Sequence, residues 1–545
     1  MPAGSNLIDH GHSHRRADVT VTPRRYVSIT VEVAAPTFLS IGSGGLAVLA
    51  SVRSATLLGV DGHPVTVEVH VSQGLPSYHV VGLPDTAVRE SRERVRAAVL
   101  SSKLEWPNRR ITVNLAPGGL RKHGAGLELA AALGVLGAFD GLPDGVLDEV
   151  GVLGELGLDG SVRPVPGVLA LVDALARAGA REVVVPDANA REAALVPDIT
   201  IRPARTLGEL RASLIGLEPW PDAPAPPEPS ASEDDEEVDL GEVRGLSLAR
   251  RALEVAAAGG HHLLFTGPPG VGKTMLARRL PTILPPLARG ESLEVTRIHS
   301  AAGYAPEHGL MARRPFRAPH HTASTAAIVG GGSRRLTPGE VTLAHRGTLF
   351  MDELGEFPPT ALEALRQPLE ERVVRIARQS VTMSFPADFQ LVACSNPCPC
   401  GLGGPLCRCG DGARARYRRR LSEPLLDRFD LRLAVTPPEP GDEPGEPSAP
   451  VRARVVAAAE RQCHRYADWP WRRNAHVPAR ALMRVVRLAP DVDAAWRGVS
   501  EARRLTGRGA ARLLRVARTL ADLADETDLS EVHVLTAASL RDDVL

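Results

Sequence analysis

HHLLFTGPPGVGKTMLARRL, residues 261–280, decides how the rest of the chain is read. The apolar LLF reads as a buried strand, GPPGVGKT as a glycine-rich turn, and TMLARRL as the opening turns of a helix. In the loop Gly267–Thr274, the glycines Gly267, Gly270 and Gly272 let backbone N–H groups curl around phosphate oxygens. The positive end of the following helix faces the same charge. Pro268, Pro269 and Val271 complete the loop. Lys273 reaches the β- and γ-phosphates of ATP, and the Thr274 hydroxyl ligates Mg²⁺. The bare pattern is short, and a merely structural glycine turn is the competing reading. The strand before and the helix after give the motif its meaning.

Downstream, GTLFMDELGEF (347–357) supplies a second strand that ends in Asp352 and Glu353. An acidic pair at the carboxyl end of a parallel strand suits two tasks: Asp352 organises magnesium, and Glu353 polarises the attacking water. A third strand, FQLVACSNP, ends at Asn396, whose carboxamide can orient the same water. A fourth, DLRLAV, follows LSEPLLDRFD. Polar strand ends thus converge on one edge of a sheet, where open α/β folds bind ligands.

Around this core, 545 residues require several domains. Two stretches rich in proline and acid, Pro219–Asp239 and Thr436–Pro450, have almost nothing to bury and read as linkers or exposed loops. They set the expected divisions: a disordered tail to residue 47, an α+β block at 48–217, a linker at 218–239, the ATPase core at 240–435, a loop at 436–450 and a helical block at 451–545. In the first block, VTVEVHVS and RRITVNLA alternate as strands, while LELAAALGVLGAF has helical character. In the last, Leu513, Val516, Ala517 and Leu520 share one helix face.

Lys+Arg and Asp+Glu balance at 64 each, which argues against a uniformly basic protein that coats nucleic acid. No apolar run is long enough to span a membrane. Lys103, Lys122 and Lys273 are the only lysines. Five of the six cysteines fall between Cys394 and Cys409, unlike a secreted disulfide framework, so a reducing cytoplasm is expected. His10, His12 and His14 lie in the tail as a metal-binding option or as chance residues of a solvated segment.

The second and third blocks resemble AAA+ ATPases of the magnesium-chelatase-like branch: an α/β P-loop core with a C-terminal helical lid. The run RPFRAPHHTAS and GGGSRRLTPGEVTLAHRGTLFMDELGEF is similar both to magnesium-chelatase ATPase subunits and to the ComM/YifB family. The N-terminal stretches GVDGHPVTVEVHVSQGLPSYHVVGLPDTAVRESRERVRAAV and EWPNRRITVNLAPGGLRKHGAGLELAAAL look like the ComM-type N-terminal domain, an α+β fold related to the Lon peptidase (ribosomal S5 domain 2-like). By this resemblance Asn396 is sensor 1, and Arg428 is an arginine finger inserted into a neighbouring subunit. Arg508 is sensor 2, with Arg512 one turn later as its competitor. The resemblance further implies a homo-hexamer that uses ATP and Mg²⁺ to branch-migrate or remodel single-stranded or branched DNA in transformation or recombination. A porphyrin-metallating chelatase subunit is the alternative. Proteolysis is less favoured, because RKHGAGLEL holds no serine and GSVRPVPGVLALVDAL no lysine where a Ser–Lys pair belongs.

Two further features stay open. ERVVRIARQSVTMSFP reads as a β-hairpin with Arg375 and Arg378 near its tip, either gripping DNA phosphates or merely solvated. CPCGLGGPLCRCG places Cys398, Cys400, Cys407 and Cys409 close enough for tetrahedral Zn²⁺, with free thiols or a redox pair as the alternatives. In related rings such a hairpin faces the central pore, and His320 and His321 either line that channel or pack.

Overall fold

The computed structural model describes residues 48–545 apart from 140–141, 144, 223, 226–237, 305–308, 333–335, 379–380, 440 and 543–545. The expected tail, with its three histidines, lies outside the described residues.

The second block is built on a five-stranded sheet. Its spatial order is Phe316–Arg317, Thr348–Met351, Gln390–Ser395, Leu263–Thr266, Leu431–Ala434. Every neighbouring pair is parallel. Parallel strands covered on both faces require continuous apolar runs, and LLFT, TLFM and QLVACS are buried at every position. The chain enters the sheet in its interior, crosses to the far edge and works back, so the order reverses beside Leu263–Thr266. The crevice at the carboxyl end of that strand is where such sheets bind ligands.

The helical block packs Gly507–Leu523 against Ser448–Arg465 and against Ser247–Gly259 of the core. Leu513, Val516, Ala517 and Leu520 are buried in that seam. The first helix of this block starts at Ser448, inside the stretch expected to be a loop. Its proline at residue 450 sits in the first turn, where no N–H is needed. Asp239, at the end of the other acidic stretch, accepts hydrogen bonds from the Gly241 N–H (2.6 Å) and the Ser448 N–H (3.0 Å). The Ser448 hydroxyl in turn accepts from the Leu240 N–H at 2.8 Å. A carboxylate at a helix N-terminus satisfies free N–H groups and the dipole, so the ends of the two proline-rich stretches are pinned together.

The N-terminal block carries a seven-stranded mixed sheet in the order Ser77–Val81, Arg110–Ala116, Asp61–Ser72, Val48–Leu58, Val150–Val152, Glu182–Pro186, Thr200–Ala204. Asp61–Ser72 buries every second residue from Val65 onward, as a strand with one face on the core must. Helix Val168–Arg177 covers the sheet and also faces the second block. Val168, Leu169 and Val172 share one apolar cluster with Ile298, Ala301 and Phe385. The Gly167 N–H donates to the Ser300 carbonyl at 3.1 Å. A Cβ on Gly167, which has φ 73°, would lie 3.3 Å from the Ala301 Cα. The first two blocks are therefore joined by a continuous core and not only by a linker.

Candidate nucleotide site

Gly267 leaves strand Leu263–Thr266 so close to the neighbouring backbone that a Cβ would lie 2.4 Å from the Val435 carbonyl oxygen. Gly270 and Gly272 have φ of 84° and 92°, which side chains disfavour. Helix Lys273–Ile283 begins immediately after the turn. The Lys273 ammonium donates to the Gly267 and Pro268 carbonyls at 2.7 and 2.8 Å and approaches the Asn396 Oδ1 at 3.4 Å. Burial holds its pKa below the usual lysine value, while Cys394, Asp352 and Glu353 pull the other way. A cation folded back onto loop carbonyls at a helix N-terminus fits a phosphate chain. The Thr274 hydroxyl donates to the Asp352 Oδ2 at 2.8 Å, which places two hard oxygen donors of the kind magnesium prefers side by side.

Glu353 adopts a left-handed conformation, φ 52°, unusual for a residue with a side chain. Its N–H donates to the Asp352 Oδ1 at 3.0 Å, and its carboxylate Oε2 lies 3.2 Å from the His321 Nδ1. The His320 and His321 rings are 4.1 Å apart. His321 is thus a partner of the candidate base that sequence reasoning left undecided. Adjacent histidines were the available signal, but nothing in the pattern said which acid they meet.

The arginines are arranged differently. Arg428, 6% exposed, pairs with the Glu370 Oε1 at 2.5 Å. Arg508 is largely exposed and reaches the same oxygen at 3.4 Å. Among the described residues, the ion pairs of both go to Glu370 and none to the phosphate loop of their own chain. Arg512 pairs at 3.2 Å with Asp430, a buried carboxylate that also faces the His261 Nδ1 at 3.4 Å. These contacts bind Arg512 into the core–lid seam.

Comparison with known proteins gives the site its context. Residues 239–442 match the family described as magnesium chelatase, subunit ChlI. Residues 67–189 match that of subunit ChlI of Mg-chelatase, and residues 445–541 its C-terminal family. An uncharacterized protein of Mycobacterium tuberculosis H37Rv is 46% identical over 497 residues, covering 90% of this chain and 97% of its own. YifB of Escherichia coli K12 is 41% identical and competence protein ComM of Haemophilus influenzae 40%, each at the same coverage of both chains. The chain belongs to the ComM/YifB family of magnesium-chelatase-like proteins. Membership implies an AAA+ fold that takes ATP and Mg²⁺. A weaker likeness, 29% over 174 residues, extends to the Lon protease of Rhizobium meliloti.

In this ComM/YifB chain the N-terminal Lys122 is fully buried. Its ammonium donates to the carbonyls of Gly82 (3.1 Å), Leu115 (2.8 Å) and Pro117. The hairpin pairs Val373–Arg378 with Val381–Pro386. Arg375 sits opposite Ser384, in the middle of the hairpin and not near its tip, and is held by Glu371. Arg378, paired with Val381, ends the described ladder. Sequence reasoning also passed over helix Asp411–Arg420, which carries Arg414, Arg416, Arg418, Arg419 and Arg420. The sulfurs of Cys398, Cys400, Cys407 and Cys409 all lie within 4.8 Å of one another. Cys394 is buried in its strand, where burial pushes its thiol well above the usual range, and Cys463 lies apart in the lid.

Among the described residues, no helix is long and apolar enough to cross a membrane.

Proposed function

We propose that this protein is a cytoplasmic, ATP-hydrolysing homo-hexameric motor that remodels or branch-migrates single-stranded or branched DNA. The observation that carries the proposal is the convergence of Arg428 and Arg508 on Glu370, out of contact with the phosphate loop of the same chain. Charge-stabilising arginines placed there serve a neighbour's site, so hydrolysis belongs to a ring. Magnesium ATP, when bound, supplies the transferable phosphoryl group and a cation that spreads its charge. Lys273 and the loop N–H groups would orient the phosphates, and Thr274 with Asp352 would hold the metal. Glu353 takes the proton of the attacking water, supported by His321, while Asn396 orients that water. Arg428 and Arg508 from the adjacent subunit stabilise the transition state, a contribution of ~10³-fold or more for such a finger.

DNA as the substrate rests on two basic features, the hairpin with Arg375 and Arg378 and the five-arginine helix Asp411–Arg420. Guanidinium clusters recruit phosphates through charge and counterion release. One full-length relative is a competence protein, which agrees with work on incoming DNA. The family descriptions also name magnesium chelatase, so a chelatase role is the second reading. The shared N-terminal block of the full-length relatives favours the first. We take that block as peptidase-inactive, since Lys122 is sealed among carbonyls and RKHGAGLEL has no serine. ATPase rate and oligomer size, measured with and without forked DNA, test the proposal. It predicts stimulation of a hexamer; a rate indifferent to single-stranded and forked DNA would count against a DNA motor.

A further inference from the structure

We infer that Cys398, Cys400, Cys407 and Cys409 form a closed structural Zn²⁺ site whose task is to brace the nucleotide site, an inference that rests on the phosphate-loop reading above for its second half only. The sulfur geometry is the starting point. Cys398 lies 3.3 Å from Cys400 and 3.5 Å from Cys407, and Cys400 lies 3.9 Å from Cys407. Four sulfurs at a Zn–S length of ~2.3 Å stand about 3.8 Å apart at the corners of a tetrahedron. A disulfide needs about 2.05 Å, so these sulfurs are clustered and unbonded. Four thiols gathered from two Cys-x-Cys arms leave no open coordination position, which marks a structural and not a catalytic site.

The surroundings suit thiolates. The Cys400 N–H donates to the Cys409 sulfur at 3.3 Å, and the Cys409 N–H to the Cys407 sulfur at 3.4 Å. Arg414, anchored by Asp411, brings positive charge toward Cys407 and Cys398. Such outer contacts offset the charge of four thiolates around a divalent ion. The loop reverses through Gly401, Gly403 and Gly404 at φ of 79°, 63° and 47°, a path closed to most other residues.

The placement gives the site its second role. Asn396 lies two residues before Cys398, at the end of the strand beside the phosphate loop. The Gly401 N–H donates to the Cys398 carbonyl at 2.9 Å. A Cβ on Gly401 would lie 2.8 Å from the Cδ of Pro269, so the cysteine loop rests directly on the phosphate loop. After the last cysteine the chain enters helix Asp411–Arg420. From this helix the Tyr417 hydroxyl meets the Ser395 hydroxyl at 3.3 Å, and Arg420 donates to the Gly355 carbonyl at 3.1 Å. A metal locking the two arms therefore fixes the carboxamide of Asn396, the ceiling over Pro269 and the helix behind the acidic pair as one unit.

Metal content and nucleotide affinity test the two halves separately. Full-length protein purified without chelators is analysed by inductively coupled plasma mass spectrometry, with zinc release followed as thiols are blocked by a mercurial. About one zinc per chain is expected, released in step with thiol modification. Cys407→Ser and Cys409→Ser are expected to lose it. Zinc-free Cys409→Ser protein, whose phosphate loop is unchanged and whose fold is checked by circular dichroism, should bind a fluorescent ATP analogue about fivefold more weakly than zinc-loaded wild type. Wild-type protein carrying no zinc, carrying iron instead, or showing a Cys398–Cys400 disulfide by mass spectrometry overturns the metal site. Folded, zinc-free Cys409→Ser protein with unchanged nucleotide affinity overturns the bracing role. Zinc-loaded wild type that fails to bind the analogue would refute the nucleotide site itself, leaving the metal assignment standing.

Discussion

Replacing Asp430 with Asn is expected to loosen the lid from the ATPase core. The carboxylate is 4% exposed, faces Arg512 at 3.2 Å and His261 at 3.4 Å, and accepts from the His262 N–H at 3.3 Å. Asn has nearly the same volume, so the change removes charge without making a cavity. Arg512, on the lid helix, then remains as a largely buried cation facing no carboxylate. Breaking a buried pair by removing one partner costs about 3–5 kcal/mol, and the surviving amide oxygen places this case near ~3 kcal/mol. For domains of this size that corresponds to a drop in Tm of roughly 6–12 °C. Asp430 is held well below the ordinary carboxylate pKa: burial opposes this, but His261, Arg512 and His262 outweigh it. A group with a depressed folded pKa contributes stability that is present above its unfolded value, near ~3.9, and is lost as pH falls from there toward the folded value. The wild type should therefore lose this stability on acidification below about pH 5, while the variant, already lacking it, falls less steeply. Urea unfolding of nucleotide-free protein from neutral pH down to about pH 3 measures both effects. A variant within ~0.5 kcal/mol of wild type, or two parallel acid profiles, would refute the reasoning.

Two further outcomes follow from the site. Glu353→Gln should retain ATP binding but lose hydrolysis by about 10²–10⁴-fold, since the amide cannot take the proton; equal loss of binding would move Glu353 out of the base role. Glu370→Gln should weaken the hold on Arg428 and Arg508 and change the ATPase rate of assembled protein while leaving nucleotide affinity of the phosphate loop untouched, as read by steady-state kinetics beside fluorescent-nucleotide titration; a shift in affinity alone would separate Glu370 from the arginines' function.

The parts of the molecule that were legible in the sequence are those where backbone chemistry restricts the residue. GPPGVGKT needs its glycines because φ turns positive and Val435 crowds Gly267, so the strand, turn and helix could be read directly. The buried parallel strands were visible as apolar runs. Side-chain destinations were not. Arg508 and Arg512 are one helical turn apart, and only the fold shows one at Glu370 on the surface and the other under the lid at Asp430. The docking of the N-terminal block was hidden because helix Val168–Arg177 is apolar on nearly every side, which periodicity cannot divide between two partners. The start of the lid inside a proline-rich stretch was obscured by composition, since proline in a first helical turn looks the same as proline in a loop. His321 was missed as the partner of Glu353 because the two are far apart in sequence and meet only across the crevice.

The central claim is that each hydrolytic site is completed by a neighbour's arginine, and mixing inactive subunits tests it most directly. Lys273→Ala removes the phosphate grip but leaves the finger, and Arg428→Ala does the reverse. Each alone should be nearly inactive. In randomly mixed rings at equal proportions, about a quarter of interfaces combine an intact loop with an intact finger, so the mixture should regain about a quarter of the wild-type ATPase rate. A mixture no more active than its components, or Arg428→Ala protein that hydrolyses ATP at the wild-type rate, would contradict the account.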